Sequence, residues 1–338
     1  MGGAATGTGG TLPAASGGSG ALGGASSSGL GGATMGGSSG SGGATGSGSG
    51  GRSGSGGASS SGSGGTTSSG SGGSSGGSGA DGGVVQSDGC GKTRTLQNGT
   101  ITINSRKYIL HVPDGYDNKT PYRMVFAFAE SGSSAQSVAD RKYFTMQTQD
   151  TKNTTIFAAP AAVGDAGSWS NADVAFTDSI LTQLEGDLCI DKTRIFATGF
   201  SFGGAMSMAL ACTRATVFRA VAFFSGADLT GSCPATLSTP IAYYASQASQ
   251  DRGTMTGPTT GEEKQAQFAA VNGCTADANS TNFPAAGQPH TCTIYKNCSA
   301  GHPTKYCVFN GGHGWEPVDP GSTTSWDPPE AWNFITQF

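Results

Sequence analysis

Three residue types in this chain are suited to nucleophilic attack on a carbonyl: a serine on a tight turn, a histidine between glycines, and an aspartate in a loop between them. Ser201 sits in Ile195-Phe196-Ala197-Thr198-Gly199-Phe200-Ser201-Phe202-Gly203-Gly204-Ala205-Met206, a short apolar run, a G-x-S-x-G turn and an Ala/Met-rich run. Read as strand, sharp turn and helix, this order pushes the serine into a strained conformation and exposes its hydroxyl. Gly199 and Gly203 flank it because side chains there would collide where strand and helix pack closely. The N–H groups at the following helix start, Phe202 first, face any negative charge that develops nearby. The pattern alone proves little here. Ser38 and Ser74 match it too, in Gly36-Gly37-Ser38-Ser39-Gly40 and Gly72-Gly73-Ser74-Ser75-Gly76, with no strand before them or helix after.

A serine hydroxyl attacks poorly until a base takes its proton and an acid orients that base. There are four histidines. His111 falls in an alternating, strand-like segment, and His290 and His302 fall in a cysteine-rich loop. His313, in Asn310-Gly311-Gly312-His313-Gly314-Trp315, directly follows an apolar run and has glycines on both sides to let a loop present it, so it is the expected base. For the acid, Asp251 follows the apolar run 240–245, and Asp228 after the preceding run is its competitor; Asp173 and Asp178 read as helix-start residues. Ser201, Asp251 and His313 then fall in the chain order of α/β-hydrolases.

The elements that must position these residues are legible as hydrophobic patterns. Residues 99–104 and 106–112 alternate around Asn104-Ser105, a hairpin signature. Residues 122–129 form a continuous apolar run, as expected of a strand buried on both faces, and 154–159, 194–198, 220–224, 240–245 and 306–309 repeat that signature. Phe176, Ile180, Leu184 and Leu188 recur at helical spacing, and 202–212, 262–271 and 330–338 are further helix candidates. Strands alternating with helices predict an α/β fold, a mostly parallel sheet with helices on both faces and the three site residues at one strand edge.

Composition sets the bounds. Residues 1–83 are almost entirely Gly, Ser, Ala and Thr, and such a segment buries too little apolar surface to offset its ordering entropy, so a disordered tether is expected there. Residues 84–338 suffice for one sizeable domain. A net charge of −4 gives no footprint for nucleic acid, and no apolar run approaches the roughly 20 residues of a membrane span. All eight cysteines lie between Cys90 and Cys307, which favours disulfides and an exported protein. No basic and apolar leader follows Met1, so either the written start is expected to differ from the biological one or the export signal is expected to be missing. Eight cysteines allow 105 pairings; Cys298 with Cys307 and Cys274 with Cys292 are the easiest local ones, in what reads as a stapled surface loop. A zinc site near His290 and His302 is the rival reading, disfavoured because no C-x-x-C spacing occurs; neither metal nor cofactor is expected. Five N-x-[ST] matches, at Asn98, Asn118, Asn153, Asn279 and Asn297, carry meaning only in a glycosylating host.

From Cys90 to Phe338 the chain resembles the secreted feruloyl esterase and acetylxylan esterase group, carbohydrate esterase family 1, with polyhydroxybutyrate depolymerases as near cousins. The stretches that carry the resemblance are GCGKTRTLQNGTITINSRKYILHVPDGYD, DVAFTDSILTQLEGDLCIDKTRIFATGFSFGGAMSMALAC, FRAVAFFSGADL, YCVFNGGHGW and the closing PPEAWNFITQF. It implies Ser201 as nucleophile, His313 as general base and then acid, and Asp251 as its partner. It also implies a secreted, cofactor-free enzyme that hydrolyses esters on plant cell-wall polysaccharide through an acyl-enzyme. A polysaccharide-binding module or anchor N-terminal to the tether is the partner such an arrangement would serve. The alternatives are a polyhydroxyalkanoate depolymerase and a weakened, carbohydrate-binding relative.

Two places depart from the family pattern. The oxyanion loop normally carries a His followed by an aromatic or Gly, and here reads Ala129-Glu130-Ser131-Gly132-Ser133. Backbone N–H groups of Glu130 or Ser131, with that of Phe202, still supply donors, but an inward carboxylate at Glu130 would oppose an oxyanion, so Glu130→Gly is expected to raise turnover. The stretch before Asp251 has Gln247-Ala248 where the family usually has His-Gly. Trp169, Phe202 and Trp315 are the aromatic candidates for an acyl pocket.

Overall fold

In the computed structural model the chain is described at residue 2 and over 83–229, 231–251, 261–277, 279–280 and 282–338. Residues 1 and 3–82, with Ser38 and Ser74 and nearly all of the segment expected to be a tether, therefore lie outside the described residues.

Nine strands form one sheet: β1 (Gly99–Ile103), β2 (Arg106–His111), β3 (Tyr122–Phe128), β4 (Thr155–Pro160), β5 (Ile190–Gly199), β6 (Ala220–Phe224), β7 (Ala242–Ala248), β8 (Thr291–Ile294) and β9 (Thr304–Phe309). Their order is β1-β2-β4-β3-β5-β6-β7-β9-β8. The run from β4 to β9 is parallel throughout, and the antiparallel β1–β2 hairpin and β8 close its two ends. This is the mostly parallel sheet of the α/β-hydrolase fold. The central strands bury both faces, which is why they read as unbroken apolar runs rather than as alternations. Asn104 and Ser105 turn the hairpin with φ of 51° and 62°, the left-handed pair that a tight two-residue connection requires.

The helices are α1 (Ala135–Asp140), α2 (Met146–Gln149), α3 (Ala172–Asp187), α4 (Phe202–Thr213), α5 (Gly261–Val271) and α6 (Asp327–Thr336). Helix α3 buries Phe176, Ile180 and Leu184, the residues of the four-residue recurrence. Helix α4 is buried from Gly203 to Ala211, and its small residues let it lie close to β5 and β6. Between α1 and α2, Lys142, Tyr143, Phe144 and Thr145 all have φ between 54° and 59°. A left-handed turn costs about 1–2 kcal/mol per non-Gly residue. Burial of two whole aromatic side chains there, Tyr143 and Phe144, offsets it by an amount of similar size.

All eight cysteines are paired, as Cys90–Cys189, Cys212–Cys233, Cys274–Cys298 and Cys292–Cys307. The two easiest local pairings are thus both replaced. The reason is β8, which sequence reading took for loop: its register sets Cys292 directly opposite Cys307 on β9. Cys274 then meets Cys298 beside the Thr275–Lys296 bridge. The cysteines that suggested zinc are spent in these bonds.

Helix α6 is anchored by a buried acid. Asp327 is fully enclosed, and the Tyr244 hydroxyl donates to its Oδ1 at 2.5 Å. Burial raises its carboxyl from the ordinary value to about 7, outweighing the hydrogen bond from Tyr244. A folded-state pKa above the unfolded one means a contribution present in full below about pH 4 and lost as pH rises towards 7. Asp327→Asn should therefore narrow the wild-type fall in melting temperature between about pH 5 and pH 8, by roughly 5 °C. Parallel melts of the two proteins across that range check it; identical slopes would contradict it.

Candidate active site

Strands β5, β7 and β9 run parallel, so their C-terminal ends share one edge of the sheet. Ser201 follows β5, Asp251 follows β7 in a short 3₁₀ turn, and His313 follows β9.

At the end of β5 the chain turns sharply. Ser201 takes φ 54° and ψ −117°, a conformation that a side chain disfavours. The turn is held by the Ser201 N–H donating to Phe224 O at 3.0 Å and the Gly203 N–H to Phe200 O at 2.8 Å. A Cβ at Gly203 would run into the Phe128 carbonyl, and one at Gly199 into the Gly203 backbone, so glycine is required at both. Phe202 is the first residue of α4, whose N–H has no intrahelical acceptor.

His313 Nδ1 lies 2.7 Å from Asp251 Oδ1. The carboxylate is wholly buried while the imidazole is 38% exposed, so the acid is shielded and the ring can meet a ligand. The ring also packs on Phe200 with centroids 4.6 Å apart, one residue from Ser201. With Phe200, Phe309 and Trp315 it lines a cavity of about 460 Å³.

The competing residues are engaged elsewhere. Asp228 pairs with the buried Lys264 on α5 at 3.4 Å and accepts from Ser232. Asp173 starts α3, as expected, and accepts from the Ser170 N–H at 2.7 Å. Asp178 does not start a helix: it lies within α3 and pairs with Arg214 at 2.7 Å. His111 meets Gln147 at 3.1 Å, and burial lowers its pKa. His290 pairs with Asp319 at 2.7 Å and stacks on Trp326, while burial and then the Arg219 charge lower the pKa of His302.

The loop after β3 differs from expectation. Glu130 receives two hydrogen bonds from Arg141, both at 2.8 Å, so its carboxylate is neutralised rather than loose against the site. Burial works to raise its pKa, but Arg141 and the residue's own N–H outweigh that and hold it below the usual value. The Arg141 guanidinium in turn lies 5.6 Å from the centre of the Trp315 ring. Trp169 is not exposed to a ligand. It is 4% exposed, and its indole N–H donates to Ala129 O at 2.7 Å, which makes it a support for this loop. Trp315 does line the cavity, and Phe202 is half-buried at the head of α4. Arg141 carried no signal in the sequence because its partner lies across a loop, and Gln247 was marked there only by its departure from the family pattern, with no role assigned.

The sequence profile of a family described as putative esterase matches residues 102–320. The chain belongs to this esterase family. It is therefore a carboxylic-ester hydrolase. Feruloyl esterase D of Neurospora crassa is 36% identical to it over 272 residues, covering 75% of this chain and 91% of the relative. A probable feruloyl esterase C of Aspergillus clavatus is 39% identical over 259 residues, covering 74% and 90%. Among solved structures, an acetyl xylan esterase from Aspergillus awamori covers 75% of this esterase and 99% of its own chain, at 13% identity and a TM-score of 0.47. No helix among the described residues is long and apolar enough to cross a membrane.

Proposed function

We propose that this esterase hydrolyses feruloyl or acetyl esters carried on plant cell-wall polysaccharide, through an acyl-enzyme formed on Ser201. The observation that carries the reading is the 2.7 Å contact of His313 with the buried Asp251, on a ring packed against Phe200 beside a strained serine turn.

In this mechanism His313 takes the Ser201 proton as the hydroxyl attacks the ester carbonyl. Asp251 holds the imidazole in the required tautomer and stabilises the imidazolium. The N–H of Phe202 and one from the loop after β3 receive the oxyanion. Glu130 and Ser131 are the two candidates there, and the Glu130 N–H is already turned to its own carboxylate, which favours Ser131. His313 then returns the proton to the departing alcohol, and water repeats the sequence to release the acid. No cofactor enters these steps.

The acyl group is argued from the named relatives and from the cavity, where Trp315 and Phe309 offer apolar walls to an aromatic acid. Four disulfides in one domain support action outside the cell. The Gly/Ser-rich residues 1–83 suit a tether between this domain and a polysaccharide-binding module or anchor.

Stoichiometric labelling of Ser201 by a fluorophosphonate, absent in Ser201→Ala, tests the nucleophile; failure to label would leave a non-catalytic binding relative. Release from methyl ferulate, acetylated xylan and hydroxybutyrate oligomers is expected to favour the first two. Preference for the oligomers would overturn the substrate assignment in favour of a polyester depolymerase.

A further inference from the structure

Gln247 ends β7 one residue before the strand's last position and is 6% exposed. Its Nε2 donates to Asp251 Oδ2 at 3.1 Å, and the Ala248 N–H donates to the same oxygen at 3.0 Å. The other carboxylate oxygen faces His313 Nδ1 at 2.7 Å. The end of β7 thus grips one oxygen of Asp251 and turns the second toward the imidazole. The far side of the amide is held as well. Its Oε1 lies so close to Gly261, the first residue of α5, that a Cβ there would strike it.

We infer that Gln247 is a positioning residue of the esterase site: through Asp251 it sets both the orientation and the basicity of His313, using a group that does not titrate. This rests on the assignment of Ser201, Asp251 and His313 made above. A hydrogen bond donated to a carboxylate stabilises its charge and leaves less of that charge for a neighbouring cation. Removing the amide therefore leaves more negative charge for the His313 ring, which stays protonated to higher pH. An acid at position 247 adds a second negative charge and carries the shift further. Among the described residues, the other charged groups around the assembly are the Asp228–Lys264 pair from the loop after β6 and α5, Glu316 on the cavity wall, and the Glu130–Arg141 pair beyond Trp315. Substitution at 247 or 261 alters the chemical identity of none of them.

The test is kcat/KM on a soluble aryl ester from about pH 4 to about pH 9, where the acid limb reports the base of the free enzyme. Wild type is compared with Gln247→Leu, Gln247→Glu and Gly261→Ala, each checked for folding by circular dichroism and for active sites by fluorophosphonate titration. The acid-limb midpoint is expected to rise by about half a pH unit in Gln247→Leu and about one unit in Gln247→Glu. Gly261→Ala keeps the glutamine but pushes its amide aside, and the backbone at 261 is not left-handed, so it should reproduce the shift of Gln247→Leu. Folded variants that keep the wild-type midpoint, even with reduced rates, overturn the inference and leave Gln247 a packing residue. Failure of wild-type Ser201 to label overturns the assignment of the three residues instead.

Discussion

Ser201→Ala is expected to lower kcat on methyl ferulate by about 10⁶-fold, the scale seen when a serine hydrolase loses its nucleophile. The fold should survive, because the turn is held by backbone bonds and by the glycines at 199 and 203 rather than by the hydroxyl. Asp251→Asn should cost about 10⁴-fold, since an amide at 251 favours the wrong tautomer of His313. In the proposed mechanism the three residues act as one unit, so adding Asp251→Asn to Ser201→Ala should change little further. Active-site titration before and after each substitution separates lost chemistry from lost protein. Near-normal turnover in purified, correctly massed Ser201→Ala would rule out an acyl-enzyme on this residue.

Much of the frame that brings these residues together was legible because it rests on burial, and burial shapes sequence. Strands β3, β4 and β6, and β5 over residues 195–199, are read as apolar runs because both faces are covered there, and α3 betrays itself in Phe176, Ile180 and Leu184. Edge and turn elements carry weaker signals. Strand β8 has four residues, none fully buried, inside a segment dense in Cys, Pro and Gly, so its pairing partner alone reveals it. Helices α1 and α2, of six and four residues, are too short to display a period. The left-handed turn at Lys142–Thr145 uses residue types that give no hint of it. The same division holds within the site. Ser201 and His313 stand out as candidates through flanking glycines, a local requirement. The roles of Glu130, Arg141, Trp169 and Gln247 depend on partners between 4 and 40 positions away, and no local pattern encodes such partners.

Glu130 shows what that difference does to a prediction. A lone carboxylate beside a developing oxyanion repels it, and on that basis glycine at 130 would speed the reaction. With Arg141 bound at 2.8 Å through both nitrogens, the pair presents little net charge, and the argument reverses. Removing the carboxylate strands a half-buried guanidinium between Ser137, Phe144 and Trp315, and charged groups tolerate such isolation poorly. Glycine also loosens the backbone of a loop proposed to present an oxyanion donor. Glu130→Gly should therefore lower kcat by about 10²-fold, comparable to loss of one such donor, with a smaller effect on KM. Glu130→Gln keeps the length of the side chain and one hydrogen bond to Arg141, so its loss should be milder. Turnover of a soluble aryl ester by the two variants distinguishes the ideas: a rate above wild type in Glu130→Gly would restore repulsion as the governing effect, whereas a fall graded from Gln to Gly assigns the Glu130–Arg141 pair to holding the loop in place.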